Sequence, residues 1–248
     1  MKTIVDNIAV EYKDEGQGPV LLLLHGWMHS LTSFDELTKL LADRYRVVRL
    51  DMPGFGTSEL PPKPWYVADY ASFVRDFLRR VDLEPVAIVG HSFGGRVILK
   101  GFGEGTLTAP KIVLIDAAGN AKRNTPKALV YRAIAKIGKA LSVFVPRSLY
   151  TALRKRLYRH TGSDYLEAGA LSQTYLNTIN EDLTLYARRI KVPTLLVWGE
   201  LDATTPLEDG KRLAAAIEGS RMEIVAGAGH VPHQDKPSEV AGYLRSFV

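Results

Sequence analysis

PVAIVGHSFGGRVILKGF, residues 85–102, runs from a short apolar stretch through a glycine-rich turn into an apolar pattern of helical period. The first part, rich in Val and Ile and opened by a proline, reads as a strand buried on both faces. The turn itself, Gly90-His91-Ser92-Phe93-Gly94, fits G-x-S-x-G, the sharp strand-to-helix turn that lifts a serine hydroxyl above the end of its strand. Its glycines keep side-chain bulk away from a strained serine. An ordinary turn serine capping the helix from Phe93 has the same local sequence, so the motif needs support from the rest of the chain.

Working outward, five more short apolar runs have the character of buried parallel strands: PVLLLLH (19–25), YRVVRLD (45–51), KIVLID (111–116), PTLLVWG (193–199) and RMEIVAG (221–227). Helical periodicity falls between them, at 33–43, 67–82, 93–103, 207–217 and 237–247. Alternation of this kind predicts an α/β fold, a mostly parallel sheet with helices on both faces. IVDNIAVEY (4–12) is expected as a small antiparallel hairpin at the sheet edge. One interval breaks the rhythm, because about seventy residues follow Asp116 without a strand pattern, and PKALVYRAIAKIGKAL (126–141) and PRSLYTALRKRLYRH (146–160) read as amphipathic helices. The expected organisation is therefore a core of residues 1–118 and 190–248 carrying a helical lid, residues 119–189.

Composition narrows the function classes. With 248 residues, 46% hydrophobic and 24% charged, the chain has the profile of a globular domain large enough to enclose a site. It has no cysteine, which excludes a disulfide framework, a thiolate metal site and a cysteine nucleophile. Acidic residues precede any apolar run of signal length, and no stretch reaches the roughly 18 apolar residues of a membrane span, so a cytoplasmic protein without an integral membrane segment is expected. G-x-x-x-x-G-K-[ST] is absent, as is H-E-x-x-H; neither a phosphate loop, a metal site nor a cofactor is expected.

The net charge of +5 is unevenly spread, since residues 119–190 hold 13 Lys and Arg against 4 Asp and Glu. Lys122, Arg123, Lys127, Arg132, Lys136, Lys139, Arg154, Lys155, Arg156 and Arg159 contribute most of it. Two accounts fit: solvated faces of lid helices whose stems cover apolar surface, or a patch that steers an anionic partner. No nucleic-acid recognition motif accompanies the charge.

A nucleophilic serine needs a base, and the base needs an orienting acid. Asp202, in Trp198-Gly199-Glu200-Leu201-Asp202, follows one strand run, and His230, in Ala228-Gly229-His230, follows the next. Ser92, Asp202 and His230 thus all lie beyond strand C-terminal ends, the edge where open α/β sheets gather reactive groups. Glu200 and Asp116 rival Asp202 as the acid, and His233 is the nearby rival of His230.

These motifs together resemble the α/β-hydrolase fold family over essentially the whole chain. LLLLHGW (21–27) is similar to its oxyanion turn, DMPGFGTS (51–58) to its D-x-P-G-x-G-x-S loop and GHSFGG (90–95) to its nucleophile elbow; WGELDATTP (198–206) and GAGHVPHQDKP (227–237) are similar to its acid and histidine segments. Asp235 stands where many relatives carry glutamate. The resemblance implies an eight-stranded sheet, Ser92 as nucleophile, His230 as general base, Asp202 as its orienting acid, and the main-chain N–H groups of Trp27 and Phe93 as the oxyanion hole. It further implies that His25 braces the oxyanion loop, while Asp51 is expected to organise the turn 53–56. His29 and His91, with Tyr131 and Phe144 of the insertion, are the candidates for substrate contact. Tyr150, Tyr158, Tyr165 and Leu171 are candidates for an apolar lining. A serine at the elbow argues against the branches that attack with an aspartate.

The implied activity is cofactor-free cleavage of small to medium acyl esters by a carboxylesterase. Three alternatives stay open: a carbon–carbon bond hydrolase of acidic diketones, a perhydrolase or haloperoxidase-like enzyme, and a ligand receptor built on the same fold.

Overall fold

A computed structural model of the chain describes residues 1–120 and 168–248. Its eight strands are β1 (Lys2–Val5), β2 (Ile8–Glu15), β3 (Val20–Leu24), β4 (Arg46–Leu50), β5 (Ala87–His91), β6 (Lys111–Ile115), β7 (Thr194–Gly199) and β8 (Arg221–Val225). They form one sheet in the order β1-β2-β4-β3-β5-β6-β7-β8. Only the two pairings made by β2 are antiparallel. All pairings from β4 to β8 are parallel.

The hairpin at the edge turns at Asp6 and Asn7, whose φ values of 50° and 63° are the left-handed pair that a two-residue hairpin requires. The apolar strand runs explain the centre. Leu21 and Leu23 pack into one cluster and Leu22 and Leu24 into the other, because successive side chains leave opposite faces of a strand. All four are fully buried, each contributing about 1.5–3 kcal/mol of burial.

One face is covered by α1 (Asp35–Leu41) and the C-terminal helix Pro237–Phe247, through Leu37, Leu41, Val240, Ala241 and Leu244. The other carries α2 (Val67–Arg80) and α3 (Phe93–Glu104), with Tyr70, Phe73, Val74, Phe77, Val97 and Ile98 turned inward at helical spacing. Among the described residues the expected strands, helices and edge hairpin are therefore present with ends shifted by a few residues, while the helices expected over 126–141 and 146–160 lie outside the described residues. β8 differs in character: it is the far edge strand, with Ile224 44% exposed, so RMEIVAG is not a strand buried on both faces.

Between β6 and β7 the described residues contain no strand. Residues 168–190 hold the helices Ser172–Ile179 and Thr184–Ala187 and pack onto the α2/α3 side through Ala168, Leu171, Tyr175, Leu183, Ala187 and Ile190. Polar ties reinforce this: Trp65 N–H donates to Thr174 Oγ1 at 3.1 Å, and the buried Lys100 ammonium of α3 donates to Glu181 Oε1 at 2.6 Å. Arg96, also on α3, donates to the Glu181 carbonyl. Tyr131, Phe144, Tyr150, Tyr158, Tyr165 and the ten basic residues named above lie outside the described residues.

Candidate active site

The adjacent strands β5, β6, β7 and β8 all end on one edge, so the loops after them meet there. Ser92 follows β5 directly, with φ 48° and ψ −104°, a backbone conformation that L-residues rarely adopt. The strain is held by packing that only glycine permits. A Cβ on Gly94 would lie 2.1 Å from the Leu24 carbonyl oxygen, and one on Gly90 2.6 Å from the Gly94 carbonyl. The main chain is pinned as well, with Ser92 N–H donating to the Ile115 carbonyl at 3.0 Å and Gly94 N–H to that of His25 at 3.0 Å.

Ser92 makes no side-chain cap to α3, which disposes of the helix-cap reading. Its Oγ instead lies 3.0 Å from His230 Nε2. On the other side of the ring, His230 Nδ1 lies 2.7 Å from Asp202 Oδ2. An ionised carboxylate only accepts, so Nδ1 carries the proton and Nε2 is left to accept from the serine hydroxyl.

Asp202 is 5% exposed and is an anion by virtue of its donors. Its Oδ1 accepts from Thr204 N–H at 2.7 Å and Thr205 N–H at 3.0 Å, and Oδ2 from Thr205 Oγ1 at 2.6 Å as well as from His230. Burial pushes the Asp202 carboxyl up, but the hydrogen bonds from His230 and Thr205 outweigh it and hold the group below the usual carboxylate range. Of its two rivals, Glu200 is exposed and bonded to Gly227 N–H at 2.8 Å. Asp116, after β6, is fully buried close to Asp202, and burial, with the Asp202 charge adding, pushes its carboxyl up to about 9.

The loop that carries His230 is fixed at several points. Leu201 N–H donates to the Ala228 carbonyl at 2.9 Å, and Gly229 N–H to Asp235 Oδ2 at 2.9 Å, which gives Asp235 a bracing role. His91 Nε2 donates to the His230 carbonyl at 2.7 Å. The His91 ring is fully buried, and burial holds its pKa well below the ordinary value. His91 therefore belongs behind the site as a brace and is not a substrate contact: no surface of its ring is open to a ligand. His233, the rival base, is also buried, 4.5 Å ring to ring from His91 and 4.7 Å from Phe34, with neither ring nitrogen hydrogen-bonded among the described residues. Burial lowers its pKa to about 3.

His25 and Asp51 hold the turns around residues 25–27 and 53–57. His25 Nδ1 donates to the Gly26 carbonyl at 2.7 Å and Nε2 accepts from Met52 N–H at 3.0 Å, while burial lowers its pKa to about 4. Asp51 accepts from Leu31 N–H at 2.6 Å and Thr57 N–H at 3.0 Å, and a Cβ on Gly56 would strike its carboxylate. Gly26 lies so close to the elbow that a Cβ there would be 2.8 Å from His91 Nδ1 and 3.3 Å from Ser92 Cβ. Phe93 is the first residue of α3, where the N–H has no intrahelical acceptor.

Next to the serine, the Trp27 ring meets those of Phe55 (4.9 Å), Phe93 (5.2 Å) and Tyr175 (5.2 Å) edge-on or tilted, and Leu171 packs against Gly54. This aromatic wall includes Tyr175 of the segment after residue 168. The His29 ring lies 5.5 Å from that of His91, and His29 also lines an open hollow of about 660 Å³ with Met28, Ser30, Asp35, Glu36 and Gln234, whose wall includes none of Ser92, Asp202 and His230.

Asp116, Asp202 and His230 are the one cluster of ligand-type side chains among the described residues close enough to share an ion. Four hydrogen-bond donors already converge on the Asp202 carboxylate, an arrangement suited to holding a negative charge and not to recruiting a cation.

Comparison with known proteins gives the family. Residues 21–242 match the alpha/beta hydrolase family model. The chain belongs to the alpha/beta hydrolase family. Among alpha/beta hydrolase relatives, an uncharacterized hydrolase of Bacillus subtilis, YugF, is 27% identical over 262 residues, covering 98% of this chain and 96% of that protein. The fold also matches the esterase EaEST from Exiguobacterium antarcticum, with a TM-score of 0.77, 23% identity and coverage of 100% and 99%. A bromoperoxidase from Bacillus anthracis gives a TM-score of 0.78 at 22% identity, again covering 100% and 99%.

Several features of this alpha/beta hydrolase site escaped the sequence. Thr205 was signalled only by the polar pair Thr204-Thr205 after the acid, and Tyr175 and Phe55 by nothing short of three-dimensional packing. Among the described residues, no helix is long and apolar enough to cross a membrane.

Proposed function

We propose that this hydrolase is a cofactor-independent carboxylesterase that cleaves small to medium acyl esters through an acyl-Ser92 intermediate. The observation that carries the reading is the continuous hydrogen-bonded line from Ser92 Oγ through His230 to Asp202, at 3.0 and 2.7 Å, with the serine on a strained turn at a helix N-terminus.

In the first half-reaction Ser92 Oγ attacks the ester carbonyl carbon as its proton passes to His230 Nε2. The carbonyl oxygen becomes an oxyanion, met by the N–H groups of Phe93 and Trp27, with the α3 dipole favouring the charge. Asp202 stabilises the imidazolium. The intermediate collapses, the C–O bond to the alcohol breaks, and His230 returns the proton to the leaving oxygen. Water then attacks the acyl-Ser92 carbonyl with His230 as base, releasing the acid and restoring Ser92. The aromatic wall of Trp27, Phe55, Phe93 and Tyr175 suits an apolar acyl chain. The segment expected as a lid, residues 119–189, lies mostly outside the described residues.

Steady-state hydrolysis of p-nitrophenyl esters from acetate to long acyl chains tests the assignment. Ser92-dependent turnover is expected to peak at short or medium chains. Absent turnover across the series would overturn the esterase reading and redirect attention to carbon–carbon cleavage, perhydrolysis or ligand reception on the same site.

A further inference from the structure

The reaction outlined above uses one buried carboxylate, yet two lie beneath His230. A carboxylate oxygen of Asp116, one of Asp202 and a ring nitrogen of His230 all lie within 4.8 Å of one another. Both acids are shielded from solvent, Asp116 completely. Asp116 leaves β6 in a left-handed conformation, φ 41°, which turns it under the neighbouring loops after β7 and β8.

The donors around the two groups are unequal. Four point at Asp202, as described. Asp116 Oδ1 receives only Gly199 N–H, at 2.9 Å, and its Oδ2 is buried with no hydrogen-bond partner among the described residues. The Thr205 hydroxyl has the Asp116 carbonyl at 3.1 Å and Asp202 Oδ2 at 2.6 Å, and its single proton goes to the nearer, charged acceptor. The charged groups facing Asp116 are Asp202 and Asp235, both acidic, with the His230 ring nearby. Two like charges this close and this dry cannot both persist, so the one with more donors ionises and the other stays neutral.

We propose that Asp116 is a positioning residue of the triad that keeps its proton through the neutral range and directs it toward Asp202, so that one negative charge, not two, stands behind His230. As a neutral acid it donates where an ionised one would repel. The proton on its orphaned Oδ2 turns an unsatisfied acceptor into a donor beside the Asp202 carboxylate. The proposal rests on the assignment of Ser92, Asp202 and His230 as the working triad, but two of its three tests need no substrate.

Asp116→Asn substitutes a neutral donor of the same shape. We expect the acidic limb of the kcat/KM pH profile for a p-nitrophenyl ester to stay in place. Were Asp116 ionised, the substitution would remove a charge from within 4.8 Å of His230 and move that limb to lower pH by more than about half a unit. Thermal melting gives the second test. A group forced to hold its proton costs more stability as pH rises, so the advantage of Asp116→Asn over wild type should widen from pH 6 to pH 8. A gap that is flat or shrinks overturns the proposal.

The third test uses the unsubstituted protein and so survives a variant that fails to fold. In carbon-13 NMR, the Asp116 Cγ resonance, assigned through its own backbone, should keep its protonated position from pH 5 to pH 8. Titration below pH 5 would show an ordinary aspartate and end the proposal. Absence of ester hydrolysis in wild type and Asp116→Asn alike, with the NMR and melting results as expected, would count against the esterase reading and not against Asp116.

Discussion

Replacing His233 by Phe should make the protein more resistant to acid. The ring is fully buried between Phe34 and His91, and neither nitrogen is hydrogen-bonded among the described residues, so the substitution sacrifices no polar partner there. In the folded state burial holds the His233 pKa at about 3, against an ordinary value of 6.5. The sign follows from which state takes up the proton. Above pH 6.5 both states are neutral there and the group contributes its full stability; as pH falls below 6.5 the unfolded chain binds a proton that the folded one refuses, and stability drains away down to the folded value. At pH 5 the loss is about 1.5 pH units at 1.36 kcal/mol each, or about 2 kcal/mol.

Removing the histidine removes that loss. The difference in unfolding free energy between His233→Phe and wild type should therefore shift by about 2 kcal/mol in favour of the variant between pH 7 and pH 5, roughly 4–8 °C in Tm for a chain of this size. Any overpacking by the larger ring is present at both pH values and cancels. Urea or thermal unfolding of the two proteins at both pH values reads the shift directly. Equal losses in wild type and variant would refute the claim that His233 is held neutral by burial.

Asp202→Asn should lower kcat for ester hydrolysis by about 10³–10⁴, because the amide nitrogen would face His230 Nδ1, favour the opposite tautomer and leave Nε2 unable to accept the serine proton. A variant keeping a tenth of wild-type kcat would show that Asp202 is not the orienting acid. If the basic segment steers anions, kcat/KM for a negatively charged ester should fall with added salt while that for a neutral ester stays level. Identical salt responses would leave those charges as solvated helix faces.

The elements legible in the sequence were those with a strong local signal. LLLL at 21–24 admits no solvent-exposed face, and the glycines at 90 and 94 are demanded by contacts under 3 Å that any Cβ would make. The order of Ser92, Asp202 and His230 along the chain was legible because each sits at a fixed short step beyond a strand that is itself plain in the pattern. His91 was not, since a histidine beside the nucleophile is equally compatible with facing a substrate or bracing a loop, and only the 2.7 Å bond to the His230 carbonyl decides it. RMEIVAG reads as apolar enough for a central strand, but position in a sheet is a property of pairing partners 26 or more residues away. Asp116 illustrates a further limit. Its proximity to Asp202 arises from neighbouring parallel strands, which bring together residues 86 positions apart that no window of sequence relates.

The most direct test is to quench a reaction with a p-nitrophenyl ester in its first turnovers and determine the mass of the peptide that contains Ser92, in wild type and in Ser92→Ala. Acyl-Ser92 formation entails an increase of one acyl group on that peptide in wild type, with neither adduct nor turnover in a Ser92→Ala protein that melts like wild type. Turnover that persists in purified Ser92→Ala, or an adduct on another residue, would contradict it.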